Sequence, residues 1–291
     1  MRYNTEWKDY SVIATGDGMK LERWGKNIIL LRPDPQVIWK TDVDMYKYNG
    51  LTAYYSRSNT GGGMWHYKRD IDEFTVSWRN LKFKLKLMGF KHTGLFPEQA
   101  VNWSMMINLI SKANRPIKVL NLFAYTGGAT LACMSAGAKV THVDSARAMI
   151  DRAKENIKLS NLDITNARFI QEDCVKFVQR EIRRGNKYDA IIMDPPSFGR
   201  GPNGEKWKIE EEIFSLVEIC KQVLSDEPLF FLINSYTTGL QPQVLNNILT
   251  KILKDYKGYT YSYEVGLPTE EKGIILPAGA SGLWSKEKID E

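Results

Sequence analysis

The stretch Ala190-Ile191-Ile192-Met193-Asp194-Pro195-Pro196-Ser197-Phe198 decides the fold of this chain. Its first four residues form a short apolar run, which is typical of a buried strand. The two prolines end that strand, because proline lacks an N–H group and its φ is fixed at about −65°. Residues Asp194–Phe198, called the DPPSF turn below, therefore follow the carboxyl end of a strand. Ligands bind at this edge of open α/β sheets, although a proline-stopped surface turn would have the same sequence.

The sequence around this stretch alternates between short apolar runs and helix-like segments. Strict alternation with short connections predicts a parallel sheet with helices on both faces. The predicted fold class is therefore α/β, with a Rossmann-like, doubly wound and mainly parallel sheet. The predicted strands are 119–123, 140–143, 168–171, 188–193 and 229–233, and the predicted helices are 129–135, 147–159, 175–184, 209–224 and 242–255.

Acidic residues follow the ends of successive predicted strands, at Asp144, Asp173 and Asp194. Asp144 lies 17 residues beyond Gly127, close to the spacing of an acid that accepts both hydroxyls of a ribose. Asp173, after the next strand, is placed to reach an adenine edge. Each acid alone would also suit a helix N-cap. Together, at the ends of successive strands, they favour a nucleotide site.

The first strand–helix connection is Phe123-Ala124-Tyr125-Thr126-Gly127-Gly128, called the FAYTGG turn below. Its glycines are expected to let the backbone approach a ligand closely. The G-x-G-x-x-G pattern of dinucleotide sites is absent, and Tyr125 is bulky. A nucleoside ligand without phosphate, such as S-adenosylmethionine, is therefore favoured over a dinucleotide.

The first 90 residues have a different pattern, with short β-type runs separated by turns. Ser11–Thr15 leads into a hairpin-type turn at Gly16-Asp17-Gly18, and 81–87 alternates strictly between apolar and polar residues. The apolar segment Val37-Ile38-Trp39 is included among these β-type runs. We therefore predict two domains, a small basic β domain at 1–90 that binds the substrate and a larger domain at 91–291.

The positive charge lies in the first third of the chain. Residues 1–95 hold 16 Lys and Arg against 10 Asp and Glu, whereas residues 96–291 hold 24 of each. Basic domains tend to meet nucleic acid, although a solvated face is an alternative for so small an excess. Trp65 and Tyr67 stand beside Lys68 and Arg69, so they suit base stacking and a core position equally. Trp24 and Trp39 are expected in the core.

Several classes of protein are disfavoured by composition. No apolar run approaches the ~20 residues that span a bilayer, and the first seven residues lack the apolar core of a secretory signal. The odd number of cysteines argues against a disulfide framework, and three scattered histidines make a metal site improbable. A cytoplasmic location without membrane or metal is expected.

These motifs resemble the class I S-adenosylmethionine-dependent methyltransferases, specifically the bacterial 23S rRNA large-subunit methyltransferase family. The resemblance covers about residues 90–265, and the first third matches more loosely the small substrate-binding β domain of one branch. The segments that carry it are 121–128, Val143-Asp144, Asp173, 193–198, and the lead-in Phe96-Pro97-Glu98-Gln99 with Asn102-Trp103.

The resemblance implies a cofactor, S-adenosylmethionine, and an RNA substrate. The FAYTGG turn (Phe123, Ala124, Tyr125, Thr126, Gly127 and Gly128) would wrap the methionine part, with Gln99 at its amino-acid end. Asp144 would hold the ribose hydroxyls and Asp173 the adenine amine, with Ser145, Cys174 and Asp194 completing the cofactor site. Asp194, Pro195, Pro196 and Ser197 would position the target base, and Phe198 would stack on it.

One departure from the family changes the expected chemistry. Members that methylate cytosine at C5 need a cysteine nucleophile just after the fifth strand, because C5 is unreactive until a thiolate adds at C6. This chain has Asn234-Ser235-Tyr236-Thr237-Thr238 there, with Tyr236 in the position of the thiol. A ring or exocyclic nitrogen needs no such adduct. Asp194 and the Pro195 carbonyl would orient its lone pair, opposite Asn234 or Tyr236.

Three further alternatives stay open from the sequence. A methyltransferase for a small molecule or a protein would share the same cofactor motifs. A non-catalytic RNA-binding protein that retains the cofactor fold is disfavoured by the intact Asp144, Asp173 and Asp194. The basic loop from Gly199 to Lys208 suits closure over RNA phosphates and a solvated loop equally.

Overall fold

The structure is a computed structural model that describes residues 1–58, 62–200 and 206–289. Contacts between Cα atoms divide the chain into two compact units. The small unit contains residues 2–100 and 266–278, and the large unit contains residue 1 and the described residues of 101–265 and 279–291. The functional division between 1–90 and 91–291 stays a prediction.

The small unit is built on a five-stranded sheet with the strand order β1-β2-β3-β4-β5. Strands β3 and β4 are parallel, and the other neighbours are antiparallel. A two-stranded hairpin, β6-β7, completes the unit. The strands are β1 (Tyr10–Gly16), β2 (Met19–Trp24), β3 (Ile28–Pro33), β4 (Leu51–Arg57), β5 (Gly63–Tyr67), β6 (Phe74–Trp78) and β7 (Leu81–Leu85).

The predicted hairpin turn between β1 and β2 is present, with φ of 51° at Asp17 and 78° at Gly18. Two successive positive φ angles match the right-handed twist of the flanking strands. Val37-Ile38-Trp39, in contrast, does not form a strand. Pro33 and Pro35 turn the chain ahead of this segment, and the Val37 N–H donates to Asp34 O at 3.2 Å. Val37 is buried, whereas Ile38 is fully exposed.

A buried ion pair lies in the small-unit sheet. The Glu22 carboxylate accepts hydrogen bonds from Arg32 at 2.6 and 2.7 Å and from the Tyr10 hydroxyl at 2.7 Å. Burial alone would raise the pKa of Glu22, but the charge and hydrogen bonds of Arg32 lower it to about 2. Arg32 also lies over the ring of the buried Trp24. Trp39 is half-buried and donates to Thr15 Oγ1 at 3.0 Å.

The large unit is an α/β sandwich around a seven-stranded sheet. The predicted strands and helices are present, most with ends shifted by one to three residues. Helix α1, the hairpin β12-β13 and the strands β15 and β16 are additional. The elements are α1 (Ala100–Lys112), β8 (Lys118–Leu122), α2 (Gly128–Ser135), β9 (Lys139–Asp144), α3 (Arg147–Leu159), β10 (Ala167–Gln171), α4 (Cys174–Arg184), β11 (Ala190–Met193), β12 (Phe198–Arg200), β13 (Lys206–Lys208), α5 (Ile209–Lys221), β14 (Phe230–Ser235), α6 (Pro242–Ile252), β15 (Tyr259–Pro268) and β16 (Ile275–Ser285).

The strand order in the large unit is β10-β9-β8-β11-β14-β16-β15. Strands β8 to β11 and β14 are parallel, and β16 runs antiparallel to β14. The chain builds outward from β8 to β10 and then returns to the other side of β8 with β11. The carboxyl ends of β8 and β11 therefore border a topological switch point, where ligands bind in such sheets.

The central strands of this sheet are inaccessible along their lengths. Every residue of β11 and β14 is buried. Helices α4, α5 and α6 pack on the sheet through side chains such as Phe177, Val217 and Leu249. Only the connections beyond the strand ends can meet a ligand. Among the described helices, none is both long and apolar enough to cross a membrane.

Candidate active site

The parallel register brings the ends of four strands to one edge of the sheet. Leu122 pairs with Val143 on one side and with Met193 on the other. Met193 pairs in turn with Ile233. Because neighbouring strands lie only ~4.8 Å apart, the residues that follow these four form one continuous row. That row contains the FAYTGG turn, Asp144, the DPPSF turn and the residues from Asn234 to Tyr236.

The FAYTGG turn has an unusual backbone. Phe123 and Tyr125 have φ of 54° and 51°, and Gly127 has φ of 89°. Bulky residues rarely adopt this left-handed conformation, which costs ~1–3 kcal/mol and persists only where the surroundings impose it. Such strain concentrates at functional sites.

Three hydrogen bonds from other segments hold this conformation. Phe123 N donates to the Cys174 sulfur at 3.4 Å, and Tyr125 N donates to Asp144 Oδ2 at 2.8 Å. The buried Asn156 of α3 donates to Thr126 O at 3.0 Å. Ala124 and Thr126 are themselves buried. Contacts within the protein therefore hold the turn in this conformation.

The two glycines of the turn are required by packing within the protein. A Cβ at Gly127 would lie 3.0 Å from Ala153 Cβ, and one at Gly128 would lie 2.7 Å from Trp103 Cζ2. Close approach of a ligand was the sequence-based expectation. In the structure, helices α3 and α1 approach α2 closely at these positions.

Asp144 joins the end of β9 to the FAYTGG turn. Its Oδ2 accepts from Tyr125 N, and its Oδ1 accepts from Ala146 N at 2.8 Å. Burial raises the pKa of Asp144 above its ordinary value, against the effect of these N–H groups. An ionised carboxylate has about four acceptor positions, so both oxygens retain capacity for hydroxyl donors. Its predicted neighbour Ser145 is exposed.

Asp173 caps helix α4, as the alternative interpretation of the sequence proposed. Its Oδ1 accepts from Lys176 N at 2.9 Å, and the side chain is exposed. Among the described residues, Oδ2 has no hydrogen-bond donor. Capping and the predicted adenine contact are therefore compatible. Cys174, at the first position of α4, is buried with its sulfur turned to Phe123 N.

The DPPSF turn is fixed by the segments on both sides of it. Trp207 Nε1 donates to Pro196 O at 2.6 Å, and the Thr237 hydroxyl donates to Ser197 Oγ at 2.6 Å. The Ile209 N–H donates to Ser197 O at 3.1 Å. Pro195 is buried, while Phe198 is 52% exposed, which suits its predicted stacking role.

The segment from Gly199 to Lys208 was predicted as a loop. Its described ends pair as the antiparallel hairpin β12-β13, in which Gly199 faces Trp207. Residues 201–205 lie outside the described part of the chain. Trp207 also packs on Phe123, with ring centroids 5.8 Å apart. This hairpin therefore contacts both turns of the site.

A buried polar network supports the far side of the row. Asn234 Oδ1 accepts from Asn102 Nδ2 at 3.1 Å and from Ser281 Oγ at 2.8 Å. The Tyr263 hydroxyl donates to Asn102 Oδ1 at 2.7 Å. Tyr236 is half-buried, and a Cβ at Gly279 would lie 3.1 Å from its ring. Asn234 is thus a supporting residue, and the tyrosine ring is the more accessible of the two.

Several of these residues carry no local sequence signal. Trp207, Thr237 and Ser281 act through contacts with segments far away in the chain. Gln99 lies buried in a 3-10 helix, Pro97–Gln99, of the small unit, and its contact with a cofactor stays a prediction. Within the described residues, no group of three or more potential metal ligands is present.

The three cysteines of the chain are all buried. Burial raises the pKa of the thiol in Cys133, in Cys174 and in Cys220. A raised pKa disfavours the thiolate, which is the nucleophilic form. None of the three is therefore suited to attack a substrate.

The fold and the row of strand-end residues define a class of doubly wound α/β proteins with a nucleoside site at the switch point. The chain belongs to the S-adenosylmethionine-dependent methyltransferase family, whose sequence model matches residues 51–209. The predicted family, fold class and cofactor are thereby confirmed.

Known relatives agree with this assignment. The crystal structure of an S-adenosylmethionine-dependent methyltransferase from Agrobacterium tumefaciens is 33% identical, with a TM-score of 0.91 over 98% of this chain and 92% of that chain. Ribosomal RNA large subunit methyltransferase I of Aeromonas salmonicida is 28% identical over 64% of this chain and 45% of its own length. The K/L enzyme of Shewanella frigidimarina, also named a ribosomal RNA large subunit methyltransferase, is 31% identical over 70% of this chain and 29% of its own length. The chain spans less than half the length of these two curated relatives.

The residues present fit S-adenosylmethionine. The ligand offers ribose hydroxyls and an adenine amine as donors, together with a positive sulfonium. Asp144 at the end of β9 and Asp173 after the neighbouring strand β10 offer carboxylate oxygens to these donors. The FAYTGG turn lies between Asp144 and the DPPSF turn, because β8 lies between β9 and β11.

Proposed function

We propose that this protein transfers the methyl group of S-adenosylmethionine to a nitrogen of a base in large-subunit (23S) ribosomal RNA, without a cysteine adduct. The observation that carries the proposal is the position of the DPPSF turn beside the FAYTGG turn. The burial of all three cysteines of the chain supports a reaction without a cysteine adduct. The cofactor supplies an electrophilic methyl carbon. The work left to the protein is positioning, which accounts for much of the rate in such displacements.

The hydrogen bonds made by the DPPSF turn limit which of its groups can contact the nitrogen that accepts the methyl group. Pro196 O is engaged by Trp207, and Ser197 Oγ by Thr237. Asp194 and the Pro195 carbonyl are the acceptors of the turn that we assign to an amine. They orient the nitrogen lone pair, and Phe198 stacks on the base. After transfer, the proton lost by the nitrogen passes to water.

A C5 acceptor is disfavoured by the same geometry. That reaction needs a thiolate in contact with C6 of the base. Tyr236 occupies the corresponding position, and burial keeps the three thiols protonated. The nitrogen acceptor is consistent with each of these facts.

An RNA substrate is supported by the names of the two curated relatives and by the surface of the small unit. Phe90 is 71% exposed and is held with φ of 56° at the tip of a turn, next to Lys91 with φ of 63°. Two hydrogen bonds anchor this turn, from Trp65 Nε1 to Met88 O at 2.7 Å and from Arg32 to Lys91 O at 2.9 Å.

The Phe90 tip is also positively charged. Burial, and then the charges of Lys20, Arg32 and Arg57, lower the pKa of Lys91 to about 8. The lysine thus stays mostly protonated at neutral pH, among other cations. An exposed aromatic ring with cations around it suits a stacked base and its phosphates.

The proposed function is tested by mapping modified nucleosides in ribosomal RNA from cells with and without the gene. We expect one methylated base of the large-subunit RNA to disappear, with a nitrogen as the methylated atom. Unchanged ribosomal RNA together with a lost methyl mark on a protein or metabolite would favour the other methyltransferase class. Failure of the purified protein to bind S-adenosylhomocysteine in calorimetry would favour a non-catalytic RNA-binding protein.

The role of Asp194 has its own test. We expect Asp194→Ala to lower kcat by ~100-fold, as misplacement of a reacting group does, and calorimetry with S-adenosylhomocysteine measures separately any loss of the predicted cofactor contact of Asp194. Asp226→Ala, exposed near the opposite edge of the sheet, is the matched control. Full methyl transfer by Asp194→Ala would exclude the positioning role.

The RNA surface is tested by Phe90→Ala. Since a stacked base contributes ~1–3 kcal/mol, RNA affinity should fall by at least fivefold at fixed salt. Ile38→Ala removes another exposed apolar side chain of the same unit and should leave affinity unchanged. Equal effects of the two variants would remove Phe90 from the interface.

A further inference from the structure

Trp207 contacts both the turn predicted to position the methyl acceptor and the turn predicted to hold the cofactor. Its indole N–H donates to Pro196 O at 2.6 Å in the DPPSF turn. Its ring packs on Phe123 of the FAYTGG turn, with centroids 5.8 Å apart and planes inclined by 46°. We propose that Trp207 is a positioning residue that holds the cofactor side and the acceptor side of the site in register. The acceptor half of this inference rests on the proposed function.

The chemistry of tryptophan matches both contacts. Its ring is a large apolar surface and its N–H is a rigid donor at one edge, a combination that phenylalanine lacks. The ring is partly buried against the core of the large unit. Phe123 is held in a left-handed conformation, so a ring packed against it restricts its alternatives.

The backbone around Trp207 supports a fixed position. Trp207 faces Gly199 in the β12-β13 hairpin, and β13 continues directly into helix α5 at Ile209. The Ile209 N–H in turn donates to Ser197 O. Trp207 is therefore connected to helix α5 through the backbone and to the DPPSF turn through its indole N–H.

The Pro196 contact has a consequence for the acceptor. Proline has no N–H, so the carbonyl is the only hydrogen-bonding group of Pro196. A donor that engages it fixes the plane of the following peptide and thereby the direction of Ser197 and Phe198. Loss of the indole N–H would loosen the acceptor side, whereas loss of the ring would also loosen the cofactor side.

Two variants separate these contacts. Trp207→Phe keeps a ring near Phe123 and removes the donor. We expect it to bind S-adenosylhomocysteine within about threefold of the wild type and to lower kcat by ~10-fold with an unchanged KM for the cofactor. Trp207→Ala removes both contacts, so we expect it also to weaken S-adenosylhomocysteine binding by ~10-fold. Binding is measured by calorimetry, which needs no RNA, and methyl transfer is measured on large-subunit RNA.

Trp39→Phe is the matched control, since it removes an indole hydrogen bond, to Thr15 Oγ1, from the small unit. Equal kcat values for Trp207→Phe and Trp39→Phe, or wild-type S-adenosylhomocysteine affinity in Trp207→Ala, would overturn the inference. Trp207→Val, which keeps a β-branched side chain in β13 but removes the ring from Phe123, replaces the alanine variant if that variant does not fold, and should likewise weaken S-adenosylhomocysteine binding. If the wild-type protein methylates no ribosomal RNA, the proposed function fails while the calorimetric comparison still decides the cofactor-side contact.

Discussion

Glu22 of the small unit and Asp144 of the large unit are both withdrawn from water, and these two carboxylates have opposite surroundings. Glu22 of the small unit is fully buried and is matched by Arg32 and Tyr10, which lower its pKa to about 2 against the effect of burial. Asp144 of the large unit is half-buried, and among the described residues it has N–H donors but no ion pair. Burial raises its pKa. A buried carboxylate that has a cationic partner stabilises the folded structure, whereas one without such a partner indicates a binding site.

Breaking the compensation in the small unit should have the largest effect. Arg32→Met leaves Glu22 buried without its hydrogen-bonded cation and with only Lys20 Nζ at 3.9 Å, and we expect the free energy of unfolding to fall by ~3–5 kcal/mol. Urea denaturation followed by circular dichroism measures this loss. Pairing Glu22→Leu with Arg32→Met should recover most of the stability, because no buried charge then remains. Lys40→Met, which breaks the exposed pair with Asp17, should leave the midpoint unchanged.

Acid should act on the same pair with the next largest effect. The folded-state pKa of Glu22 is about 2, below its ordinary 4.5. Its contribution to stability is therefore complete above about pH 4.5 and is lost as the pH falls through about 2, a change of roughly 3 kcal/mol. Other acids titrate in this range, so the test is the difference in unfolding free energy between wild type and Glu22→Gln. That difference should shrink between pH 5 and pH 2.5, and a constant difference would contradict the assignment.

Substitution of Asp144, the carboxylate without an ion pair, should change ligand affinity. Asp144→Asn removes one acceptor oxygen from the ribose position and from the Ala146 or Tyr125 N–H. We expect S-adenosylhomocysteine affinity to fall by ~30-fold, or about 2 kcal/mol. Thermal stability should also fall, by ~1 kcal/mol, because the Tyr125 or Ala146 N–H loses its acceptor. Asp151→Asn, on the exposed face of α3, is the control, and equal binding by both variants would remove Asp144 from the site.

The smallest expected effect is at Asp173, which has two roles to separate. Asparagine caps helices as well as aspartate does, so Asp173→Asn should keep the cap of α4 and the folding stability. The loss of one acceptor for the adenine amine should weaken S-adenosylhomocysteine binding by about threefold. Asp163→Asn makes the same exchange at another cap, where it should not alter binding. A loss of stability without a loss of affinity would leave capping as the role of Asp173.

The large unit was predictable because its central strands contain short apolar runs, as in Ala190–Met193 and 230–233. The run 119–123 became β8 at Lys118–Leu122, and the helix 147–159 was correct at both ends. The strands β15 and β16 were missed, although Tyr259, Tyr261, Tyr263 and Val265 alternate in the manner of a strand. The error at Val37-Ile38-Trp39 has a local cause, because Pro33 and Pro35 turn the chain ahead of an otherwise strand-like segment.

The site was predictable where its residues are defined by position along the strands. Asp144 is the last residue of β9, and Asp194 directly follows β11. The parallel register of the strands therefore brings both residues to the same edge of the sheet. Trp207 and Asn102 could not be found this way, because their roles depend on partners such as Phe123 and Asn234 that lie far away in sequence. The sequence also could not distinguish a glycine required by a ligand from one required by a neighbouring helix, as at Gly128 and Trp103.

The small unit is discontinuous, and this bears on the order in which the chain can fold during synthesis. Its last segment, 266–278, follows almost the whole large unit in the chain. Glu270 N donates to Val12 O at 2.8 Å, and the Ser11 and Thr15 hydroxyls donate to Glu270 and Glu271. A nascent chain therefore carries β1 without these partners until translation has passed residue 271. The small unit is therefore completed only after the parallel strands of the large unit have been synthesised, and a fragment of residues 1–90 would lack part of its own structure.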